Sequence, residues 1–282
     1  MNAEAFVFGL ILLAAVLHAT WNALLKISGD RLLTLCFLMG TGAVLFLPLL
    51  PFVAFPPASC WPYLGASVAV HAAYYFFLLR AYRHGDLSQA YPIARGTGPV
   101  VVVGLAGFVA GEPTTLTEVV GVLLISAGIV GIATNRAAFS GFDWRPVKFA
   151  IFTGLMIGSY SLIDGLGVRA AGAGPWGYIA WFHVLDAVPV LVVAPLLRRG
   201  QIRPFVRAHG VRSILGGVMA TLAYTLVIWA MSLTRLAQVA ALREVSVVFA
   251  ALIGTLFLDE PFGRRRTACA ATVAAGIVAL HL

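Results

Sequence analysis

The amino-acid sequence predicts an all-α polytopic membrane protein, with ten transmembrane helices arranged as two inverted five-helix repeats around a central cavity. Three observations predict this fold class: the apolar composition, ten apolar segments of bilayer-spanning length, and a motif pattern that occurs twice. Of the 282 residues, 61% are hydrophobic and only 11% are charged, whereas roughly a quarter of the residues are charged in a typical soluble domain. A lipid bilayer, rather than a globular core, accounts for this composition.

Ten apolar segments are long enough to cross about 30 Å of hydrocarbon. Because no water satisfies the backbone inside a bilayer, these segments must form helices or a closed barrel. Their continuous apolarity favours helices, since barrel strands have about ten residues of alternating polarity. The predicted spans lie at about 5–27, 32–53, 62–82, 87–110, 115–135, 147–169, 176–197, 211–233, 236–258 and 266–282.

The second half of the chain repeats the first. Leu87-Ser88-Gln89-Ala90 is followed by Gly111-Glu112-Pro113, and Leu236-Ala237-Gln238-Val239 is followed by Asp259-Glu260-Pro261, at offsets of 149 and 148. We therefore predict one repeat at residues 1–137 and the other at 138–282. Five spans per repeat is an odd number, so the two copies should cross the membrane in opposite directions. Inverted repeats are typical of alternating-access carriers with a site near mid-bilayer.

The distribution of Lys and Arg predicts the orientation of the chain. The loops that connect each odd-numbered helix to the next even-numbered one carry 15 of the 19 basic residues, whereas the opposite loops carry only Arg169 and Arg235. The positive-inside rule places the basic loops in the cytoplasm. We therefore expect a multi-pass protein of the bacterial inner membrane with both termini periplasmic or extracellular. The net charge of +8 then reflects topology, and no nucleic-acid partner is expected.

Several classes of site are not indicated by the sequence. The three cysteines, Cys36, Cys60 and Cys269, lack the spacing of a disulfide framework or a zinc site. No Gly-x-x-x-x-Gly-Lys-Ser/Thr loop occurs, so ATP is not expected to bind. We expect no cofactor, no metal and no enzymatic activity, and we expect a small-molecule substrate and the lipid bilayer as partners.

The repeated pattern resembles the EamA-type transporters of the drug/metabolite transporter superfamily. The shared features are the Leu-x-Gln helix start, the Gly-Glu-Pro or Asp-Glu-Pro motif and a final small-residue helix, each present twice. His18-Ala19-Thr20-Trp21-Asn22 with Lys26 is similar to that family's first helix, and Ser159-Tyr160-Ser161 stands at the equivalent point of the second half. The resemblance covers essentially the whole chain.

This resemblance implies a secondary transporter, an exporter or facilitator of small metabolites, often amino acids. Bacterial aromatic amino-acid exporters look nearest, because aromatic side chains follow the polar helix faces. A carrier of cationic drugs or other metabolites is the alternative, and an intramembrane enzyme is a remote one.

The fourth predicted helix contains Pro92 and then Arg95-Gly96-Thr97-Gly98-Pro99. Proline removes a backbone donor and glycine permits unwinding, so the pattern predicts a helix broken near mid-membrane. In that arrangement Arg95 and freed amides near Thr97 and Pro99 would hold a substrate carboxylate. The alternative is a kink that lets neighbouring helices pack closely.

Glu244 occupies the position in the ninth helix that is equivalent to Arg95 in the fourth. Equivalent positions near a pseudo-two-fold axis face each other, so we predict an Arg95–Glu244 ion pair that an amino-acid zwitterion could replace. Two alternatives stay open: a permanent structural pair, or a Glu244 carboxylate neutralised by its neighbour Arg243.

His183 and Asp186 are the best candidates for proton coupling, together with Glu244. They stand three residues apart on one face of the seventh helix, where they could hydrogen-bond each other. A bland alternative is that they satisfy each other in a packing contact. Asp164, closer to a helix end, is expected to extend to the membrane surface or to pair with Arg169.

Polar and aromatic residues on helical stripes are expected to line the cavity, because polar faces turn inward in lipid. These substrate-binding candidates are His18, Trp21, Asn22, His71, Tyr74, Tyr75, Tyr160, Trp181 and Tyr224. The alternative position for some aromatic residues is the membrane interface, as expected for Trp61 and Trp176. Small residues in the fifth and tenth helices predict close helix packing outside the cavity, in a monomer or a homodimer.

Overall fold

The computed structural model describes residues 3–26, 29–84, 87–133, 144–172, 174–249 and 264–280. Within these ranges the chain is helical and has no β-strand, which confirms the predicted all-α class. Two short 3₁₀-helices, Leu47–Phe52 and Ala58–Cys60, lie between the second and third α-helices. The α-helices are α1 (Ala3–Lys26), α2 (Arg31–Phe46), α3 (Trp61–His84), α4 (Leu87–Val109), α5 (Leu116–Ala133), α6 (Trp144–Ala170), α7 (Pro175–Leu197), α8 (Ile202–Leu233), α9 (Leu236–Arg243) and α10 (Arg264–Ala279).

In the described part of the chain, six helical segments are long and apolar enough to cross a membrane: Arg31–Phe52, Ala58–Ala81, Tyr91–Val109, Trp144–Ala170, Pro175–Leu197 and Ile202–Leu233. Three further apolar helices, Ala5–Trp21, Leu116–Gly131 and Thr267–Ala279, are shorter. The predicted ninth span, 236–258, is described only to residue 249. The protein is therefore a multi-pass membrane protein, and the count of ten spans stays a prediction.

The helix α8 begins earlier than the sequence predicted. It starts at Ile202 instead of residue 211, because the helix continues through a basic segment. Arg203, Arg207 and Arg212 interrupt the apolar run that sets the predicted boundary, but arginine is a good helix former. The apolar pattern therefore predicted the part of the helix that can lie in a membrane. It did not predict the residue at which the helix starts.

The helices form two compact units. One unit contains Met1–Ala72 and Asp164–Leu233, and the other contains Ala73–Ile163 and Thr234–Leu282. Each unit therefore combines helices from both predicted repeats, 1–137 and 138–282. The repeats describe sequence similarity, whereas the units describe which helices pack together.

In the first unit, α1 packs against α8, and α2 packs against α7 and α8. A Cβ atom on Gly217 of α8 would lie 2.6 Å from the Cβ of Thr41 on α2, so the close approach of these helices depends on glycine. The carboxylate of Asp30 caps α2 through the amides of Leu32 and Leu33 and pairs with Arg198 at 2.6 Å. Burial raises the pKa of Asp30, but the hydrogen bonds and charge of Arg198 and the two amides outweigh burial and hold that pKa below its ordinary value.

In the second unit, the first Gly-Glu-Pro motif joins the start of α5 to the start of α9. Thr115 and Glu118 form a capping box, in which the Thr115 amide donates to Glu118 and the Glu118 amide donates to Thr115. Glu118 also pairs with Arg235 at 2.8 Å. The Leu236 amide, at the start of α9, donates to Glu112 at 3.0 Å. The glutamate of the motif thus satisfies one orphan amide at the start of α9. The second copy of the motif, Asp259-Glu260-Pro261, lies outside the described residues.

The hydrophobic core of the second unit lies among α4, α5, α9 and α10. Its buried members are Val103, Val122, Ile125, Ile129, Ala237, Ala241, Val247, Val273 and Leu280. A Cβ on Gly121 would lie 2.8 Å from the carbonyl oxygen of Gly276, and one on Gly128 would lie 2.8 Å from that of Cys269. The small residues predicted to allow close packing of α5 and α10 therefore do so.

These two contacts have a reciprocal pattern. Moving from Gly121 to Gly128 along α5 corresponds to moving backwards from Gly276 to Cys269 along α10, so the two helices run antiparallel. At the repeat offset of 148, Gly121 is equivalent to Cys269, and Gly128 is equivalent to Gly276. Exchanging the two copies therefore converts one contact into the other, as a two-fold relation requires.

Gly276→Leu should destabilise the protein, because the new side chain would meet α5 where no space exists. Overpacking of this kind costs about 1–3 kcal/mol. The matched control is Gly104→Leu on α4, where nothing lies within 4 Å of the added Cβ. Melting temperatures of the two purified variants in detergent test this expectation, and equal values would contradict the close packing of α5 and α10.

Candidate functional site

The predicted break in the fourth helix is wrong. The helix α4 is continuous from Leu87 to Val109, with Pro92 and Pro99 inside it. Its glycines serve packing instead of unwinding: a Cβ on Gly96 would lie 3.2 Å from the carbonyl oxygen of Ser126, and one on Gly98 would lie 2.7 Å from the side chain of Ile157. Close contacts with α5 and α6 hold the helix together although each proline removes a backbone donor.

The amides near Thr97 and Pro99 are therefore part of a helix and are not freed to bind a carboxylate, as the sequence had suggested. The hydroxyl of Thr97 donates to the carbonyl of Ile93 at 2.7 Å, within the same helix. Two alternatives were predicted for this part of α4, a broken helix and close packing of neighbouring helices. The structure supports close packing.

The interruption occurs instead at the equivalent point of the ninth helix. The helix α9 ends at Arg243, a turn follows at Glu244 and Val245, and helical conformation resumes at 246–249. The turn has tight bonds of the 3₁₀ type, such as Val247 N–H to the Glu244 carbonyl at 3.0 Å. Neither glycine nor proline occurs in 236–249, so no ordinary breaker signal marks this position.

Three buried charges meet at this turn. The Nε of Arg95 lies 2.7 Å from Glu244 Oε2, which confirms the predicted ion pair. The Nε of Arg243 lies 3.4 Å from Glu244 Oε1, so the alternative partner is present as well. The Glu244 side chain is 0% exposed and that of Arg243 is 3% exposed. One carboxylate is thus shared by two guanidinium groups, and the net charge of the three side chains is +1.

Hydroxyl groups and aromatic rings surround these charges within the same unit. Arg95 Nη2 donates to Ser246 Oγ at 3.1 Å, and Arg243 Nη2 donates to Ser161 Oγ at 3.2 Å. The Arg243 guanidinium lies 5.8 Å from the ring centre of Tyr160, a distance typical of cation–π contacts. The structure therefore joins the predicted residues Arg95, Glu244 and Tyr160 in one cluster.

Two more predicted aromatic residues extend this cluster. The ring of Tyr74 lies 5.6 Å from that of Tyr160, and the ring of Tyr75 lies 5.2 Å from that of Tyr74. Tyr91, which the sequence analysis missed, lies 6.0 Å from the Arg95 guanidinium. Arg243, Ser161 and Ser246 were also not predicted as site residues; only the family-like Ser159-Tyr160-Ser161 segment could have pointed to one of them.

A second polar cluster lies in the first unit, around Asp164. The Asp164 carboxylate is 0% exposed, so the expectation that it extends to the membrane surface is wrong. It accepts hydrogen bonds from the hydroxyls of Tyr178 at 2.9 Å and Tyr224 at 2.5 Å. His71 packs edge-on against Tyr224 at 5.6 Å, with its Nδ1 beside Ser67. The aspartate is buried because the two tyrosine hydroxyls replace the hydrogen bonds of water.

The two residues predicted for proton coupling are both buried in the first unit. The Nε2 of His183 lies 2.9 Å from the hydroxyl of Thr225 on α8, and its ring stacks on Phe46 at 4.7 Å. His183 therefore has a partner on a neighbouring helix that its spacing from Asp186 did not predict. A role in proton coupling stays a prediction for both residues.

The remaining residues that were predicted to line the cavity belong to the first unit. Trp21 Nε1 donates to His18 Nδ1 at 3.3 Å, so these two residues contact each other as their helical spacing suggested. The ring centre of Trp181 lies 5.2 Å from that of Trp61. Trp61 is one of the residues expected at the membrane interface. Asn22 lies on α1, but its side chain is outside the described residues.

A helical, multi-pass membrane chain with buried charges among its helices is typical of membrane transporters of small molecules. The chain is a member of the EamA-like transporter family: the family model matches residues 6–134 and matches again at 144–282. The two matches confirm that the chain contains two copies of one structural repeat. The members of this family are transporters and not enzymes.

The fold is shared with proteins of known structure. One crystal structure superposes on 98% of this chain and 95% of its own, with a TM-score of 0.76 and 20% sequence identity. At this identity the likeness concerns the fold alone. No functionally curated protein matches the chain.

Glu244→Gln should lower thermal stability more than Arg95→Gln does. The first change leaves two buried guanidinium groups without a carboxylate, whereas the second leaves Glu244 beside Arg243. Removing one partner of a buried ion pair costs about 3–5 kcal/mol, and the cost of Arg95→Gln should be smaller. Melting temperatures in detergent measure both losses.

The double variant Arg95→Gln/Glu244→Gln provides the control. It has one buried cation instead of two, so it should melt above Glu244→Gln. Strictly additive losses would contradict a shared carboxylate, because groups in one ion-pair network couple.

Proposed function

We propose that this protein is a secondary transporter, an exporter or facilitator of amino acids including aromatic ones, that works by alternating access. The observation that carries the proposal is the buried Arg95–Glu244–Arg243 cluster beside tyrosine rings. Buried ionisable groups inside membrane segments are expensive, and they typically mark substrate or ion pathways.

The cluster has the two charges that an amino-acid zwitterion needs. A substrate carboxylate can pair with a guanidinium, and a substrate ammonium can pair with Glu244, which is held between Arg95 and Arg243. Tyr74 and Tyr160 provide ring faces and edges for an aromatic side chain. Exchange of the internal ion pair for a zwitterion would pair both of the separated charges and leave the net charge of the cluster unchanged.

Alternating access follows from the proposed inversion of the two repeats. The antiparallel, reciprocal contacts of α5 and α10 support that inversion, and inverted repeats provide two similar conformations of opposite orientation. His183, Asp186 and Glu244 are the proposed sites of proton coupling, because they are buried titratable groups in or beside helices of the membrane domain.

A carrier of cationic amines is the second candidate. It is favoured by the Asp164 cluster, where a fully buried carboxylate is surrounded by Tyr178, Tyr224 and His71. Aromatic faces and a carboxylate together suit a lipophilic cation.

Counterflow in proteoliposomes tests the two candidates. Liposomes loaded with unlabelled phenylalanine should accumulate radiolabelled phenylalanine, whereas loading with a lipophilic cation such as tetraphenylphosphonium should not drive that uptake. The same assay with an imposed pH gradient tests proton coupling. Counterflow of a labelled cationic drug into liposomes loaded with the same unlabelled drug, without counterflow of phenylalanine, would replace the first candidate with the second.

The proposed location is the bacterial inner membrane, with both termini on the periplasmic side. Alkaline phosphatase fused to the C-terminus should then be active, and green fluorescent protein fused there should be dark, because each reporter works on one side only. A bright fluorescent fusion would contradict the proposed topology. Native gel analysis of crosslinked protein distinguishes a monomer from a homodimer.

A further inference from the structure

We propose that Arg243 binds the substrate's carboxylate, and that carboxylate monoanions and zwitterions are therefore the substrate class of this transporter. This inference rests on the proposed transport function and adds to it a substrate-binding role for Arg243, which the sequence suggested only as a partner of Glu244. In this proposal the two arginines have different roles. Arg95 neutralises Glu244, and Arg243 binds the substrate.

The first step is the unequal distance of the two arginines from Glu244. Arg95 Nε lies 2.7 Å from the carboxylate and Arg243 Nε lies 3.4 Å from it, so the Coulomb attraction between Glu244 and Arg95 is the stronger of the two. Among the described residues, Glu244 is the only carboxylate within ion-pair distance of either arginine. The positive charge in excess therefore belongs to Arg243.

The second step is the number of N–H groups that Arg243 uses. A guanidinium has five N–H donors. Arg243 directs Nε–H at Glu244 and one Nη2–H at Ser161, and its Nη1 donates to no described residue. The Nη1–H groups and the second Nη2–H can bind a carboxylate with two parallel hydrogen bonds. A side chain that is 3% exposed and has these donors available is suited to an anion that enters a dry site.

The third step is that the guanidinium is held in place before a ligand binds. The Ser161 hydroxyl donates to the Ile157 carbonyl at 2.6 Å, so its oxygen is oriented to accept from Arg243. The ring of Tyr160, the preceding residue of α6, lies 5.8 Å from the guanidinium. Arg243 is also in the last turn of α9, where the helix dipole favours a cation. A preorganised arginine loses less entropy on binding.

The net charge selects the class of anion. The three side chains carry +1, so one carboxylate makes the site neutral, whereas a phosphate dianion leaves an uncompensated negative charge in a buried place. An amino-acid zwitterion adds no net charge and leaves the site at +1, and it is compatible because its carboxylate can pair with Arg243 while its ammonium reaches Glu244. An amide or an ester of the same amino acid lacks the charge that Arg243 would recognise.

The first test is competition in the counterflow assay. Phenylalanine and phenylalaninamide share the ring and the amine and differ in the carboxylate. For the wild type, phenylalanine should compete at a concentration about tenfold or more below that of the amide, since a hydrogen bond to a charged group is lost with the amide. For Arg243→Gln this ratio should fall to about one through weaker competition by phenylalanine.

Arg243→Lys keeps the charge but loses the planar fork, so its ratio should lie between those of the wild type and Arg243→Gln. The matched control is Arg235→Gln, which removes a partly exposed arginine that pairs with Glu118 in the same unit. It should leave the ratio unchanged. Size-exclusion profiles and melting temperatures confirm that each variant is folded. An Arg243→Gln ratio equal to that of the wild type would overturn the inference.

A binding measurement separates this inference from the transport proposal. Benzoate should raise the melting temperature of the wild type in detergent and should not raise that of Arg243→Gln, whereas inorganic phosphate should have little effect on either. Stabilisation by phosphate alone, or by neither anion, would overturn the inference even if amino acids are transported. If benzoate stabilises the wild type but not Arg243→Gln, and no amino-acid counterflow occurs, the inference about the binding site is supported. The proposed transport of amino acids is then contradicted.

Discussion

The structure of the second unit depends on one constraint: a single buried carboxylate, Glu244, compensates two buried guanidinium groups. A charge in this environment is tolerated only when it is paired and hydrogen-bonded. Arg95 satisfies the pairing at 2.7 Å, and Ser161 and Ser246 supply acceptors for the N–H groups that the carboxylate does not reach. The excess charge on Arg243 gives the site its preference for an anion.

This constraint also explains why the two equivalent helices differ. Successive residues on an α-helix point in different directions, so Arg243 and Glu244 could not both turn to the same partners from a regular helix. In the structure, hydrogen bonds of the 3₁₀ type replace the regular helical pattern after Arg243, and Arg243 Nε lies 3.4 Å from Glu244 Oε1. The arginine side of the pair needs no such turn, because Arg95 has one carboxylate to reach and α4 can remain continuous.

The relation between repeats and compact units has a physical basis. In the second unit, equivalent helices of the two repeats pack against each other. The glycine contacts of α5 and α10, and the packing of α4 against α9, place these helices of the two copies side by side. The family match at 6–134 and 144–282 shows the duplication in sequence, and these contacts show what the duplication builds.

The sequence by itself determined the helical class, the six long apolar spans of the described residues, the duplication and the Arg95–Glu244 pair, because apolar length, repeat offset and opposite charges at equivalent positions are local or periodic signals. Only the tertiary structure decided where a helix is interrupted, since Pro92 and Gly98 mark close packing in α4 whereas α9 turns without proline or glycine. It alone showed Asp164 held by Tyr178 and Tyr224, and Arg243 bound to Ser161, because these partners lie on other helices.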